Sequence, residues 1–456
     1  MTAKEAICKA GLATAFAVAA IAAPAQATGF SVSGDVSGTG GDASAEQVAV
    51  NASNDAAFAW IQDAGGTDEV KARLRTDNEL GTIEHVSDIG DSTDDPAIAI
   101  EPHGDAVVAW ERTVSNYSVI EARTVATDGT LGPIHTVSTN TQLSATNPSV
   151  AVDDAGNAVV AWNQSAGWDS EVMARTLSAS GALGPAVLAV STPGVDASLA
   201  DVGYDANGVA TIAYGESDGT YMLATARTLS ATGVLGTPKT LSAAPYSAHN
   251  LDMAIEDDGD KVFVWDQIVG SDTLVLSRTL SATGGLGQNI ETLSSTGVDA
   301  YYPEVGVDDD GDAVATWLRV DAPDYQVQAR TRSADGTLGG SILTLSQPGR
   351  AAGAPDVAVA ANGIAVFAWA RADANGDGRI KTRKLYEDGT LTDTSPITDS
   401  GDADDPHVGI GDRGTAVMAW ENDDDIEYYA SCCATIDERD VSNPPTGGVI
   451  TSPIFP

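Results

Sequence analysis

Aromatic and polar side chains occur together in the most variable segments of the chain. Four aromatic residues lie six to eight residues after a recurring tryptophan or tyrosine: Tyr117, Trp168, Tyr221 and Tyr325. Carboxylate and amide residues stand nearby at Glu111, Asn163, Gln164, Glu216 and Asp266. Aromatic faces beside hydrogen-bonding groups can stack on sugar rings or grip a peptide, so the pattern predicts a binding surface for a glycan or a protein. The alternative is that each ring packs over its own hairpin and the polar groups are solvated.

Three carboxylates, Glu111, Asp266 and Glu421, directly follow the recurring aromatic residue and could surround a central opening. A pair of carboxylates at the correct separation can hydrolyse a glycoside by acid–base catalysis, whereas solvated rim charges are the alternative interpretation. The histidines have no zinc-ligand spacing. The sequence also lacks a G-x-S-x-G elbow, a phosphate-binding loop and a cysteine nucleophile in context.

In one segment, ADANGDGRI, the Asp and Asn residues have the spacing of the first half of an EF-hand loop. Asp373, Asn375 and Asp377 alternate along it, and Gly378 permits a sharp turn. The twelfth position of such a loop is normally a bidentate glutamate, but here it is Lys384. The segment therefore predicts weak calcium binding, and the alternative is a turn rich in Asp and Asn that binds no metal.

The elements that position these residues are set by an internal repeat. The recurring aromatic residues, which end motifs such as AVVAW and AVFAW, are spaced by 50 to 52 residues: Trp60, Trp110, Trp162, Tyr214, Trp265, Trp317, Trp369 and Trp420. A complete unit has four short apolar stretches separated by Asp-Gly, Asn-Gly or Ser-Gly turns, without helical periodicity. Four strands at this period predict an all-β fold, an eight-bladed β-propeller of four-stranded antiparallel blades.

The two ends of the repeat predict how the ring closes. Ser37 precedes Trp60 by the same spacing as Ser346 precedes Trp369. The segment 29–37 therefore matches the fourth strand of a unit, whereas the last unit has only three recognisable strands. We expect the N-terminal strand to complete the last blade, which would remove two exposed sheet edges. The propeller then spans 28–441, followed by a Pro/Gly-rich tail at 442–456.

Two sets of connections differ in variability. The turns between first and second strands and between third and fourth strands are uniform, whereas the second-to-third hairpins vary freely. A scaffold with one uniform and one divergent face is expected to bind on the divergent face, which the hairpins share with the inter-blade crossovers. A recurring arginine follows six of the core aromatics at one constant spacing, as Arg123 follows Trp110, and a carboxylate often precedes the aromatic, as Asp153 precedes Trp162. We expect the arginine and the carboxylate to form a structural ion pair in each blade.

Charge and targeting signals narrow the function classes. The 456 residues include 65 Asp or Glu and 23 Lys or Arg, a net charge of −42, which argues against binding nucleic acid or anionic membranes. Residues 1–27 read as a signal peptide, with Lys4 and Lys9 before an apolar stretch too short to span a bilayer. Secretion would leave two cysteines, Cys432 and Cys433, as packed thiols or a strained vicinal disulfide.

Over roughly residues 29–436, the chain resembles secreted bacterial β-propeller repeat proteins with D-x-x-G-x-A-V-x-x-W blades, as at Asp153–Trp162. It is also distantly similar to the Asp-box of sialidase-type propellers, but Asp154 precedes Trp162 by eight residues rather than five, and no sialidase catalytic residue is matched. We therefore predict a secreted, monomeric, non-enzymatic binding module for a glycan or an extracellular protein. The alternative is a carbohydrate-active hydrolase or lyase, which should break the even repeat with a long insertion.

Overall fold

Short apolar runs and tight turns fold this chain into consecutive hairpins. The structure is a computed structural model that describes residues 31–431 except residues 39, 40, 64, 91, 140, 141 and 413. Within that range every regular element is a β-strand, and the strands form eight four-stranded antiparallel sheets. The all-β, eight-bladed propeller is therefore confirmed. The predicted signal peptide, the predicted C-terminal tail and both remaining cysteines lie outside the described residues.

The strands are numbered in chain order, and blades 1–8 follow the repeat. Before blade 1 comes β1 (Ser31–Asp35). Blades 1–4 contain β2 (Ala43–Val50), β3 (Ala56–Asp63), β4 (Asp68–Thr76) and β5 (Glu79–His85); β6 (Ser92–Ile100), β7 (Ala106–Val114), β8 (Tyr117–Val125) and β9 (His135–Thr136); β10 (Ala145–Val152), β11 (Ala158–Ala166), β12 (Asp169–Leu177) and β13 (Leu188–Ala189); β14 (Ala197–Tyr204), β15 (Ala210–Ser217), β16 (Met222–Leu229) and β17 (Lys239–Thr240).

Blades 5–8 contain β18 (Ala248–Ile255), β19 (Lys261–Val269), β20 (Asp272–Leu280) and β21 (Glu291–Thr292); β22 (Ala300–Val307), β23 (Ala313–Asp321), β24 (Asp324–Arg332) and β25 (Leu343–Thr344); β26 (Ala352–Val359), β27 (Ala365–Arg371), β28 (Ile380–Leu385) and β29 (Ser395–Pro396); β30 (Ala403–Ile410), β31 (Ala416–Asn422) and β32 (Asp425–Ser431). The first strands of neighbouring blades contact one another, as β6 contacts β10, so they surround the axis of the ring.

The hydrophobic core lies between blades rather than within them. Each core aromatic is at most 2% exposed and projects from the second strand of its blade. Trp110 of blade 2, for example, belongs to one cluster with Val70 and Ala72 of blade 1. Because every blade buries its apolar face against a neighbour, the first and last blades must also meet.

The N-terminal strand closes the ring as predicted. β1 pairs antiparallel with β32, from Ser31 opposite Ser431 to Asp35 opposite Glu427. Ser37 Oγ accepts a hydrogen bond from the Ile426 N–H at 3.0 Å. Ser346 makes the equivalent bond with the Val327 N–H at 2.9 Å in blade 6. The N-terminal segment therefore occupies the place of a fourth strand in blade 8.

The recurring arginines have different partners from those predicted. Arg123 Nε donates to the Gly132 carbonyl oxygen at 2.9 Å, and its Nη1 donates to Val86 of the preceding blade at 2.9 Å. The predicted ion pair is therefore wrong, because the guanidinium satisfies backbone carbonyls across the blade boundary. The carboxylate expected to pair with such an arginine instead caps its own turn. Asp153 Oδ1, for instance, accepts the N–H of Asn157 at 2.8 Å.

Removal of residues 28–38 should expose the edge of β32 and leave Ile426 without its serine partner. We expect the melting temperature to fall by at least about 5 °C and the protein to form soluble aggregates. Calorimetry and size-exclusion chromatography would measure both effects. An unchanged melting temperature together with a monomeric profile would show that β1 contributes little to closure.

Candidate functional site

A backbone bulge in the first strand of each blade shapes the centre of the ring. In blade 3 the pairing of β10 with β11 shifts between Thr146 and Ser149, and Asn147 has a φ of 50°. Six further bulge residues have a similar positive φ: Ala45, Asp95, Asn250, Tyr302, Ala354 and Asp405. The bulges lie near the end of the strand that faces the second-to-third hairpins, since Ala145 pairs with Gln164 there.

Polar residues follow the bulges around the axis. The residue that precedes each core aromatic by the spacing of Asp201 from Tyr214 is, in blade order, Gln47, Ala97, Ser149, Asp201, Asp252, Glu304, Asp356 and His407. Blades 4–7 thus bring four carboxylates together at equivalent places, and blade 8 adds an imidazole. We call Asp201, Asp252, Glu304, Asp356 and His407 the axial arc. All five are partly buried.

Hydrogen bonds connect the axial arc from blade to blade. Asp252 Oδ2 accepts the Val305 N–H of the next blade at 2.7 Å, and Asp356 Oδ2 accepts the Val408 N–H at 2.7 Å. Asp356 also lies 4.0 Å from His407 Nδ1. Each of these carboxylates therefore fixes the first strand of the following blade while remaining next to the other acidic groups.

Burial and crowding raise the pKa values of the four carboxyl groups of the axial arc. Burial raises the pKa of Asp201 to about 7, and the charge of Asp252 adds to the effect. Burial likewise raises the pKa of Asp252 to about 6, although the Val305 N–H opposes it. The pKa of Glu304 is raised well above its usual range, first by burial and then by Asp252 and Asp356. Carboxyl groups in this condition can donate hydrogen bonds or exchange their protons for a cation.

Three residues predicted as ligand contacts hold the bulge of a neighbouring blade. Asn163 Oδ1 accepts the Leu199 N–H at 2.7 Å, and Asp266 Oδ2 accepts the Tyr302 N–H at 3.2 Å. Burial raises the pKa of Glu111, while the backbone N–H of Asn147 acts in the opposite direction. The position after the core aromatic therefore has a structural task, and its role in ligand binding stays a prediction.

Gln164 and Glu216 support the loops at the start of first strands. Gln164 accepts a hydrogen bond from Trp162 Nε1 at 3.3 Å and donates to the Leu143 carbonyl oxygen at 3.0 Å. Glu216 Oε1 accepts the Thr192 N–H at 2.6 Å. Both side chains have structural partners, and their contact with a ligand also stays a prediction.

The predicted aromatic residues differ in exposure. Trp168 is fully exposed at a hairpin and Tyr325 is 43% exposed, whereas Tyr117 and Tyr221 are partly buried. A further ring, Tyr302, is 56% exposed at the bulge that precedes Glu304. Sequence reasoning on the hairpins missed Tyr302, which lies nearer the axis. The hairpin face therefore presents exposed rings both at its rim and beside the axial arc.

The axial arc was also missed, although the sequence contains a signal for it. A polar residue interrupts the apolar first strand in motifs such as LADVG, NLDMA and YPEVG, always at the same spacing before the core aromatic. Comparison of all eight units at that position would have found the acidic run. The hairpins vary in both length and composition, so they stand out in the sequence. The axial-arc position varies only in residue type, so it is less conspicuous.

The predicted calcium ligands form an Asx-rich turn around an arginine. Asp373 Oδ1 accepts the Asn375 N–H at 2.7 Å. Arg379 Nη2 lies 2.7 Å from Asp373 Oδ2 and 3.3 Å from Asp377 Oδ2. The Asn375 N–H lowers the pKa of Asp373, and the charge of Arg379 adds to this. Calcium binding stays a prediction, and it would require Arg379 to leave these two carboxylates. Within the described part of the chain, no three acidic, histidine or cysteine side chains converge as a metal site.

Comparisons with known proteins support the fold. No protein-family model and no curated protein matches the sequence. Among solved structures, 430 chains match. One is a polysaccharide lyase, PL25 ulvan lyase bound to -[GlcA(1-4)Rha3S]-, with 10% identity and a TM-score of 0.52, covering 75% of this chain and 94% of that chain. Another is the puromycin hydrolase S511A mutant complexed with PGG, with 12% identity and a TM-score of 0.51, covering 84% of this chain.

These likenesses concern the fold alone. The alignment covers only 58% of the puromycin hydrolase. A Hadza microbial sialidase, Hz136, has 12% identity and a TM-score of 0.39 over 81% of this chain and 74% of its own. Fold and comparisons together define an eight-bladed β-propeller protein. In the residues that the structure describes, no helix is long and apolar enough to cross a membrane.

The raised pKa values predict a stability that falls as pH rises. Between the ordinary aspartate pKa of about 4 and about 7, the folded chain holds protons on Asp201 and Asp252 that the unfolded chain releases. We expect the melting temperature to decrease from pH about 5 to about 7.5, and Asp201→Asn/Asp252→Asn to flatten this slope. Calorimetry across this range would measure it, with Asp154→Asn/Asp257→Asn on exposed turns as the charge-matched control. Equal slopes in the wild type and the arc variant would contradict the assignment.

At the Asx-rich turn, we expect calcium and Arg379 to compete for the same carboxylates. Arg379→Gln should strengthen calcium or terbium binding, and Asp377→Ala should abolish it. Wild-type affinity should be weak, on the order of 10⁻⁴–10⁻³ M. Terbium luminescence would compare the three proteins. Equal uptake by all three would show that the ion binds elsewhere and that this segment is only a turn.

Proposed function

We propose that the protein is a secreted, non-enzymatic binding module that holds a positively charged segment of an extracellular protein on its hairpin face. The observation that carries this proposal is the axial arc, in which four adjacent blades place a carboxylate at the same point beside the axis. A ligand ammonium or guanidinium group entering there would relieve the repulsion among these carboxylates. Such complementarity gives specificity and speeds association.

The charge of the whole chain supports a basic partner. A net charge of −42 repels acidic ligands and attracts basic ones over the screening length of about 8–10 Å. The axial arc contains a single cationic candidate of its own, His407, at 4.0 Å from Asp356. The exposed Tyr302 near the arc, and Trp168 at the rim, offer ring faces for the aliphatic stems or guanidinium planes of a basic peptide.

A neutral glycan is the second candidate ligand, and the full exposure of Trp168 favours it. An indole ring that packs on none of the described residues is available to stack on a sugar. An anionic polysaccharide is disfavoured, because its carboxylates or sulfates would meet the acidic arc. The ligand named for the ulvan lyase is of this anionic kind, so likeness of fold does not carry its substrate to this chain.

The contacts of the carboxylates favour binding over glycoside hydrolysis. Asp252 and Glu304 interact with each other through their side chains, whereas the two carboxyls of retaining and inverting glycosidases stand ~5–5.5 Å or ~6.5–9.5 Å apart. The other carboxylate set, following the core aromatics, includes Asp266, which is 2% exposed and bonded to the Tyr302 N–H. Asp266 is therefore engaged in a structural hydrogen bond.

Biolayer interferometry with an immobilised lysine- and arginine-rich nonapeptide would test the proposal, with a glutamate-rich nonapeptide and neutral oligosaccharides as competing ligands. The arc variant removes the carboxylate charges at the axis: Asp201→Asn, Asp252→Asn, Glu304→Gln and Asp356→Asn. The control variant removes the same charge from exposed first-to-second-strand turns on the opposite face: Asp154→Asn, Asp257→Asn, Asp309→Asn and Asp412→Asn.

We expect the arc variant to bind the basic peptide on the order of tenfold more weakly and the control variant to change little. Equal weakening in both variants would mean that diffuse charge, not the arc, attracts the peptide. Binding of a neutral oligosaccharide that Trp168→Ala abolishes would favour the glycan. Turnover of a glycan that Glu304→Gln abolishes would establish the enzyme alternative instead.

A further inference from the structure

One carboxylate at the junction of blades 8 and 1 is buried with only partial compensation. Glu46 lies in the bulge of β2 and is 2% exposed. Its Oε1 has no hydrogen-bond partner among the described residues. Burial raises its pKa to about 8, and backbone N–H groups of Glu46 and Glu421 offset only part of that effect. A buried polar oxygen without a partner is costly and requires an explanation.

The fold does not require a glutamate at this point. The equivalent position, directly before the axial-arc position of each blade, is apolar in the other seven blades: Pro96, Pro148, Ala200, Leu251, Pro303, Pro355 and Pro406. The bulge therefore forms with proline or leucine in place of the carboxylate, and blade 4 forms a shorter bulge with alanine there. Glu46 is the exception, and it occurs where the two ends of the repeat meet.

Further carboxylates surround Glu46, and they come from the other side of the junction. Asp405, in the bulge of β30, and Glu421, at the end of β31, both act on Glu46 by charge. Glu421 also borders a cleft of about 420 Å³ together with Asp402, Asp404, Asp423 and Asp424. None of the ion pairs among the described residues includes Glu46, Asp405 or Glu421.

We propose that the junction between blades 8 and 1 binds a divalent cation of the calcium type, with Glu46 as the buried ligand and Asp405 and Glu421 as ligands from the last blade. Calcium takes six to eight hard oxygen ligands in flexible geometry. The three carboxylates, all within the described range, do not converge on one point. Asp405 is exposed and Glu421 partly buried, so their side chains can turn toward the ion while water completes the shell.

The ion would serve as a second closure of the ring. β1 joins the chain ends at the outer edge of blade 8, whereas Glu46 and Asp405 lie on the inner strands β2 and β30. An ion there would link the first and last blades near the axis. Because it binds the closed ring only, it should stabilise the folded protein increasingly as its concentration rises.

Calorimetry with EDTA, 5 mM magnesium or 5 mM calcium would test the proposal on the wild type and on Glu46→Gln. We expect calcium to raise the wild-type melting temperature by about 3 °C or more, and Glu46→Gln to lose this response. Glu111→Gln is the matched control, because Glu111 is the counterpart of Glu421 at the boundary of blades 2 and 3, where Pro148 stands in the place of Glu46. Asp377→Ala is the control for the Asx-rich turn. Both controls should retain the response.

Two results would overturn the proposal. One is a wild-type melting temperature that calcium does not change, and the other is a Glu46→Gln protein that responds as the wild type does. If Glu46→Gln fails to fold, Glu421→Gln takes its place, because that residue is partly exposed. Terbium titration would then count the sites, and one site fewer than in the wild type is the expected result.

Discussion

The pairing of β1 with β32 is the constraint on which the ring depends. Each blade buries its apolar face against the next, and a core aromatic such as Trp110 packs between two blades rather than inside one. An open array would leave two such faces and two strand edges in water. The chain avoids this with a short N-terminal strand, after which Ser37 repeats the hydrogen bond of Ser346. The pairing of one short strand with β32 thereby closes the ring.

Most polar residues of the repeat serve that architecture. The recurring arginines, such as Arg123, bind backbone carbonyls on both sides of a blade boundary. Asp153 caps a turn, and Asn163 and Asp266 hold the bulge of the following blade. Buried backbone groups must find partners, so in a repeated fold the same few side chains recur to satisfy them. What remains free to vary is the set of side chains near the axis and at the hairpin tips.

Negative charge accumulates at those variable places without a matching supply of cations. The axial arc holds Asp201, Asp252 and Glu304 with raised pKa values, and Glu46 is raised to about 8 at the blade junction. In both clusters, burial and neighbouring negative charge favour the protonated carboxyl groups. A cationic partner or a metal ion would take the place of these protons, so the same physical cause underlies the proposed peptide site and the proposed ion site.

Period, strand pattern and end register are local properties, and the sequence alone therefore determined the number of blades, the antiparallel sheets and the closing strand. Apolar alternation and turn chemistry recur in every unit, and eight repetitions average out local ambiguity. The candidate site, in contrast, was only partly predictable from the sequence. The hairpin residues Trp168 and Tyr325 were found from the sequence because exposed rings occur in variable loops. The axial arc was not, because its members lie a whole repeat apart along the chain and only the packing of neighbouring blades brings them together. Val86, which accepts from Arg123, and Asp405 and Glu421, which act on Glu46, likewise belong to neighbouring blades. Burial and charge at those contacts are therefore tertiary properties that no single repeat contains.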